Sequence, residues 1–232
     1  MSTRSILPAS VEERLAGWAQ IQERRSQTPL PARPPATLTI SRQFGCEGFP
    51  LALRLQARLQ AATGLPWSIL DKALLEKVAQ DEGISMRLLS DLGGATRYLE
   101  AFGFHPNGAV TQEQAFAKVA RSLVQVARQG RTIIVGQGGA ILCRGMEHAY
   151  HFRLEAGFDW RVRAYMRSRG LDLAAAEREV KIRTRMRDQF IRQVLDADVG
   201  DRANYDAVFN NERHSVDQVA AAIEAYVGAA IL

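Results

Sequence analysis

The sequence predicts an α/β fold of the doubly wound kind, with a parallel sheet covered by helices on both faces. Three observations carry this. Short apolar runs alternate with longer segments of helical period from residue 37 onward. The runs "TLTIS" (37–41) and "TIIV" (132–135) are apolar and β-branched, as strands buried on both faces should be. The first run leads into a turn with Gly45 and Gly48 and then a helical pattern, an arrangement that cradles phosphate in many nucleotide-binding proteins.

The elements follow in order. Residues 1–36 read as an appendage, with 37–232 as the domain. Ser10 and Glu13 suit a capping box, and Val11, Leu15 and Trp18 fall on one helical face. That helix packs either on the core or on a partner. Five of the eight prolines lie in this segment, so "TPLPARPP" is expected to be an extended linker. Strands are expected at 37–41, 67–70, 132–135, 149–154 and 206–209. Helices are expected at 50–63, 72–82, 85–92, 112–129, 158–168, 173–193 and 215–230. Ligands of such sheets sit at the carboxyl ends of the strands. This gathers 41–48, 71–72, 136–139, 155–157 and 210–211 in one crevice.

Hydrophobic residues make up 47% and charged residues 24% of 232, so a packed core needs no staples. Cys46 and Cys143 form no metal-ligand spacing, which argues against zinc and for a reduced, cytoplasmic setting. His148 and His151 fall on opposite faces of their strand, so no metal site is expected. No apolar run approaches the roughly 18 residues of a membrane span. Net charge is +5, yet Arg161 to Arg192 holds ten Lys/Arg and four Asp/Glu, a local +6. That stretch suits a triphosphate, with nucleic acid ranking behind it.

The loop departs from the standard phosphate-loop pattern GxxxxGK[ST]. In that register Arg42 replaces the first glycine, Glu47 the second, Gly48 the lysine and Pro50 the hydroxyl residue. A plain strand–turn–helix is the competing reading.

"ISRQFGCEGFPLA" resembles the loop of the cytidylate kinase-like family, a branch of the P-loop nucleoside monophosphate kinases, at Ile40, Ser41, Arg42, Phe44, Gly45, Gly48 and Ala52. Four further segments resemble the family in the expected order: "LPWSILDKALLEKVAQDEGIS", "TIIVGQGGAIL", "TRMRDQFIRQ" and "NYDAVFNN". The resemblance implies a five-stranded P-loop NTPase-like sheet, a helical lid, and an acceptor-binding insertion between the second and third strands. It implies ATP with Mg²⁺ as donor and a CMP- or dCMP-like acceptor. Catalytic roles would fall to Arg42, Asp71 and Arg187. Phosphate would be held by Ser41, Arg42, Gly45, Cys46, Glu47, Gly48, Phe49, Arg183 and Arg187. The acceptor would meet Asp71, Gly136, Gln137 and Gly138. Phosphoryl transfer needs positioning and cations rather than covalent help, which is why arginines are the residues to follow.

Each of these has a plainer alternative. Arg42 could pair with a carboxylate, and Asp71 could cap the helix after it. Gly136 and Gly138 could serve a close-packed turn. The lid arginines could form a solvated face. Tyr205, Asp206 and Asn210 are expected to be structural, with Asn210 and Asn211 lining a base site. Gln137, where the family has arginine, cannot neutralise charge. Thr184 replaces an aspartate and Phe49 an arginine. At Glu47 a positive φ would cost roughly 1–2 kcal/mol, and an inward carboxylate would repel phosphate. The chain is therefore expected to be a cytidylate kinase-like phosphotransferase or a degenerate descendant of one. A non-catalytic nucleotide-binding module and a nucleic-acid binder are the alternatives. A homo-oligomer or a partner bound through the N-terminal helix would fit either nucleotide reading.

Overall fold

The computed structural model describes residues 34–71, 74, 120, 123–136 and 138–231. The expected helices at the N-terminus and at 85–92, most of 72–82 and of 112–129, and Gln137 lie outside them.

Five parallel strands form one sheet in the order β2-β3-β1-β4-β5. They are β1 (Thr37–Arg42), β2 (Ser68–Leu70), β3 (Thr132–Val135), β4 (Ala149–Glu155) and β5 (Ala207–Asn210). The expected strands 37–41 and 132–135 are both interior. β1 is central, pairing Leu38 with Ile133 on one side and with Tyr150 on the other. The buried threonines of β1 are satisfied. Thr37 Oγ1 donates to the Ala127 carbonyl at 2.7 Å, and Thr39 Oγ1 lies 2.9 Å from His151 Nδ1.

Successive side chains of a strand go to opposite faces. Leu38, Ile40, Ile133, Val135 and Phe152 join one core with α1 (Gly48–Thr63) and the C-terminal helix α5 (Val216–Ile231). Leu70, Ile134, Leu74, Leu123 and Ala127 form a second core on the other face. That core also takes Cys143, from the short helix α2 (Gly139–Cys143), an element that the sequence pattern does not announce. Its five residues are too few for a helical period to show.

Helices α3 (Phe158–Arg169) and α4 (Leu173–Leu195) form a hairpin across the crevice. Asp172 caps α4 by accepting the Ala175 N–H at 2.8 Å. The hairpin has its own small core of Val162, Ala176 and Val180, and Phe44 and Tyr165 pack against it. The loop after β1 is thereby attached to the hairpin. Upstream of β1, Ala36 is 1% exposed and its carbonyl accepts the Arg131 N–H at 2.7 Å. Packing therefore begins before the first strand. Among the described residues no helix is long and apolar enough to cross a membrane.

Candidate functional site

The crevice lies where the sheet geometry puts it, at the carboxyl ends of β1, β2 and β3. It has two lobes. The larger, about 500 Å³, lies along the loop between Phe44, Gly48, Phe49 and Asp71 and the end of α3. The smaller, about 40 Å³, lies between Ser41, the glycine turn at 136–139, Asp188 and Tyr205. Arg42 and Arg187 line both.

Arg42 leaves β1 and threads between two glycines. A Cβ at Gly48 would lie 3.1 Å from its Cδ, and one at Gly136 would lie 2.1 Å from Nη1. Burial pushes the Arg42 guanidinium down to about 10, with Cys46 and Asp71 pulling the other way. Arg187, on α4, is shifted well down by burial and then by the positive charges of Arg42 and Arg183. Its Nε is buried with no hydrogen-bond partner among the described residues. Its guanidinium lies 4.8 Å from the centre of the Phe44 ring. A guanidinium depressed by burial and by the neighbouring charge of Arg42, in a cleft that both residues line, suits an anion.

The other expected residues divide. Asp71 caps the helical turn after β2, accepting the Leu74 N–H at 3.0 Å, and its charge also favours the ionised form of Arg42. The capping alternative is thus realised, and Asp71 also lines the larger lobe. Arg183 is paired through Nε with Glu179 at 2.5 Å and lies 5.7 Å from the Phe44 ring centre, so it borders the site. Gly138 has φ +70, and a Cβ there would meet Leu195 Cδ1 at 2.4 Å, which fits the close-packed turn. Burial pushes the Cys46 thiol up to about 12, which favours its protonated form.

Ser41 is tied into a network. Arg153, 5% exposed, donates from Nη1 to Ser41 Oγ at 3.1 Å. Tyr205 Oη lies 3.2 Å from Ser41 Oγ and 2.9 Å from the Val199 carbonyl. A phenol has one proton and a carbonyl only accepts. The Tyr205 proton therefore goes to Val199, and the Ser41 proton to Tyr205. The Ser41 hydroxyl, which lines the smaller lobe, is thereby engaged within the fold.

The loop differs from expectation at Glu47. Its φ is −85°, so the strain of a left-handed residue does not arise. Gly45 takes the positive φ instead, at +96°. A Cβ there would lie 2.8 Å from Arg161 Cβ and from its carbonyl oxygen. The Glu47 carboxylate accepts from Asn211 Nδ2 at 3.3 Å, and the Glu47 N–H donates to Asn211 Oδ1 at 2.8 Å. Asn211 thus holds the loop instead of lining a base site. Asn210 caps the turn after β5, with Oδ1 accepting the N–H groups of Glu212 and Arg213. The neighbouring amides are also engaged: Cys46 N–H donates to the Gln43 carbonyl at 3.2 Å, and Gly48 N–H to the Cys46 carbonyl at 3.0 Å.

Arg161 is the residue that sequence reasoning missed. It is 8% exposed. It donates from Nη1 to the Phe44 carbonyl at 3.0 Å and Thr184 Oγ1 at 3.2 Å, and from Nε to the Ala156 carbonyl at 3.2 Å. It bolts the loop to both hairpin helices. Thr184, where the resemblance has an aspartate, is one of its acceptors. The only available signal was its place directly before a core valine, at the head of a basic run.

The donor set fits a phosphoryl anion at Arg42 and Arg187. Pro50 offers no hydroxyl to Mg²⁺ and no cluster of three His, Cys, Asp or Glu side chains exists among the described residues, so a Mg²⁺ ion would be held largely by the nucleotide's phosphate oxygens and water.

Comparison with known proteins follows the same lines. A solved structure of an uncharacterized protein from Eubacterium ventriosum ATCC 27560 superposes with a TM-score of 0.61 at 17% identity, covering 84% of this chain and 98% of that one. Shikimate kinase from Bacteroides thetaiotaomicron gives 0.49 at 12% identity, covering 83% and 98%. No curated protein matches by sequence. The model of the cytidylate kinase-like family matches residues 37–213, and the chain belongs to that family.

Proposed function

We propose that the crevice binds the phosphoryl group of a nucleotide between Arg42 and Arg187, in a nucleotide kinase-like protein whose phosphate loop receives ATP poorly. The observation that carries this is the buried, unpartnered Nε of Arg187 beside a second guanidinium in the same cleft. Leaving such a donor unsatisfied is costly, and a phosphoryl oxygen is the acceptor that also relieves the repulsion. Phe44, Phe49 and Tyr165 line the same lobe and supply apolar surface for a base or ribose. A CMP- or dCMP-like acceptor is the substrate class the family supports. The two free cysteines are in keeping with a reducing, cytoplasmic setting.

The engaged amides of Cys46, Glu47 and Gly48 favour a second reading, a nucleotide-binding regulatory module with little or no turnover. One experiment addresses both. Thermal shift is measured with CMP, dCMP and ATP, with and without Mg²⁺, beside a coupled assay of ATP with CMP. Binding is expected in the wild type and weakened roughly 5- to 150-fold in Arg187→Ala, with turnover slow or absent. No shift with any nucleotide, or equal shifts in both proteins, would sink the assignment. Efficient turnover would remove the regulatory reading. A steep fall of nucleic-acid affinity with salt, with no nucleotide effect, would instead assign the basic hairpin to nucleic acid.

A further inference from the structure

We propose that Asn211 sets how many phosphoryl groups the crevice accepts, by occupying a loop amide that a polyphosphate would need. The inference rests on the nucleotide-phosphate reading above and adds a specificity to it: monophosphate over triphosphate.

A polyphosphate is gripped by successive backbone N–H groups that converge on it at the start of a helix. Here α1 begins at Gly48, yet the three N–H groups at its entrance already point at protein acceptors. Two of those acceptors, the carbonyls of Gln43 and Cys46, belong to the loop itself and move with it. The third is Asn211, 164 residues away on the far side of β1. Its carboxamide accepts the Glu47 N–H and returns a bond to the Glu47 carboxylate. It takes the place of a ligand oxygen on that amide.

Asn211 is not a loose plug. It is 3% exposed, and its own N–H donates to the Glu155 carbonyl at 2.8 Å. Asn210 pins the turn that follows. A phosphoryl group at the Glu47 amide would have to displace a fixed, buried carboxamide and would meet the Glu47 carboxylate as well. A phosphoryl group at Arg187 breaks no hydrogen bond of its Nε, which has no partner among the described residues. The two positions therefore differ in what binding must break. Only a ligand with more than one phosphoryl group needs both.

Isothermal titration of the full chain with CMP and with inorganic tripolyphosphate, both free of metal, tests this in the wild type and in Asn211→Ala. The ratio of tripolyphosphate to CMP affinity is expected to rise about tenfold in the variant, the scale of one hydrogen bond to a charged group. Asn211→Ser, too short to reach the amide, replaces it if the alanine variant does not fold. Hydrogen exchange at the Glu47 amide gives a readout that general loosening would not. It is expected to be slow in the wild type, fast in the variant, and slow again with tripolyphosphate bound. An unchanged affinity ratio with CMP still binding would overturn this inference and leave the nucleotide-phosphate reading standing. Binding of neither ligand to either protein would overturn both.

Discussion

The guanidinium of Arg42 occupies the space that any side chain at Gly136 would need: a Cβ there would lie 2.1 Å from Nη1. Gly136 also sits at φ +74, in the left-handed region. The glycine after β3 therefore holds the arginine that ends β1 in the crevice, across the β1–β3 pairing.

Gly136→Ala should accordingly do two things. It should destabilise the fold by about 1–2 kcal/mol through the left-handed backbone alone. It should also push Arg42 out of the cleft and weaken phosphate binding. Urea unfolding and nucleotide titration of one variant measure both, and an alanine that leaves both intact would contradict the packing described.

Arg187→Ala should separate binding from stability. Loss of a charge-assisted contact should cost about 1–3 kcal/mol of nucleotide affinity. Without ligand, the relief of repulsion from Arg42 offsets the lost stacking on Phe44, which is worth roughly 0.5–2 kcal/mol. The unfolding free energy should stay within about 1 kcal/mol of wild type. A large loss of stability would make Arg187 a structural residue.

Arg161→Ala should behave in the opposite way. It removes donors to Phe44, Ala156 and Thr184 at a buried position, so a loss of about 2–4 kcal/mol is expected. The loop should detach from the hairpin, and protease cleavage between residues 42 and 48 should appear. Thr184→Ala should cost less, since it leaves both carbonyl contacts in place.

His151 gives a pH dependence. Burial lowers its pKa below 6.5, against the pull of Asp206. Between the lowered value and 6.5 the unfolded chain binds a proton that the folded chain does not, so stability falls as pH drops through that window. The difference in unfolding free energy between wild type and His151→Asn should therefore shrink as pH falls from 7.5 toward 5. A difference independent of pH would mean that His151 does not titrate differently on folding.

The strands at 37–41 and 132–135 were legible because both are short β-branched runs, buried along almost their whole length. Glycine positions showed that the loop bends after β1, but not which residue takes the positive φ. Arg161 has close contacts on the Phe44 side of Gly45, and Gly45 lacks the Cβ that would collide with them. Glu47 could then keep an ordinary φ.

The sequence by itself determined the order of strands and helices, the crevice at their carboxyl ends, and a cationic hairpin above it. These follow from periods of two and 3.6 residues, which any stretch of chain carries locally. Only the tertiary structure decided which cations line the crevice without a partner among the described residues and which are spent on the fold. Arg187 keeps a buried Nε with no partner among the described residues, whereas Arg161 and Arg153 are consumed by acceptors 117 and 112 residues away. The Glu47–Asn211 bond spans 164 residues. A side chain's partners are set by which strand ends the sheet brings together, and hydrogen bonds act over about 3 Å wherever the chain happens to pass.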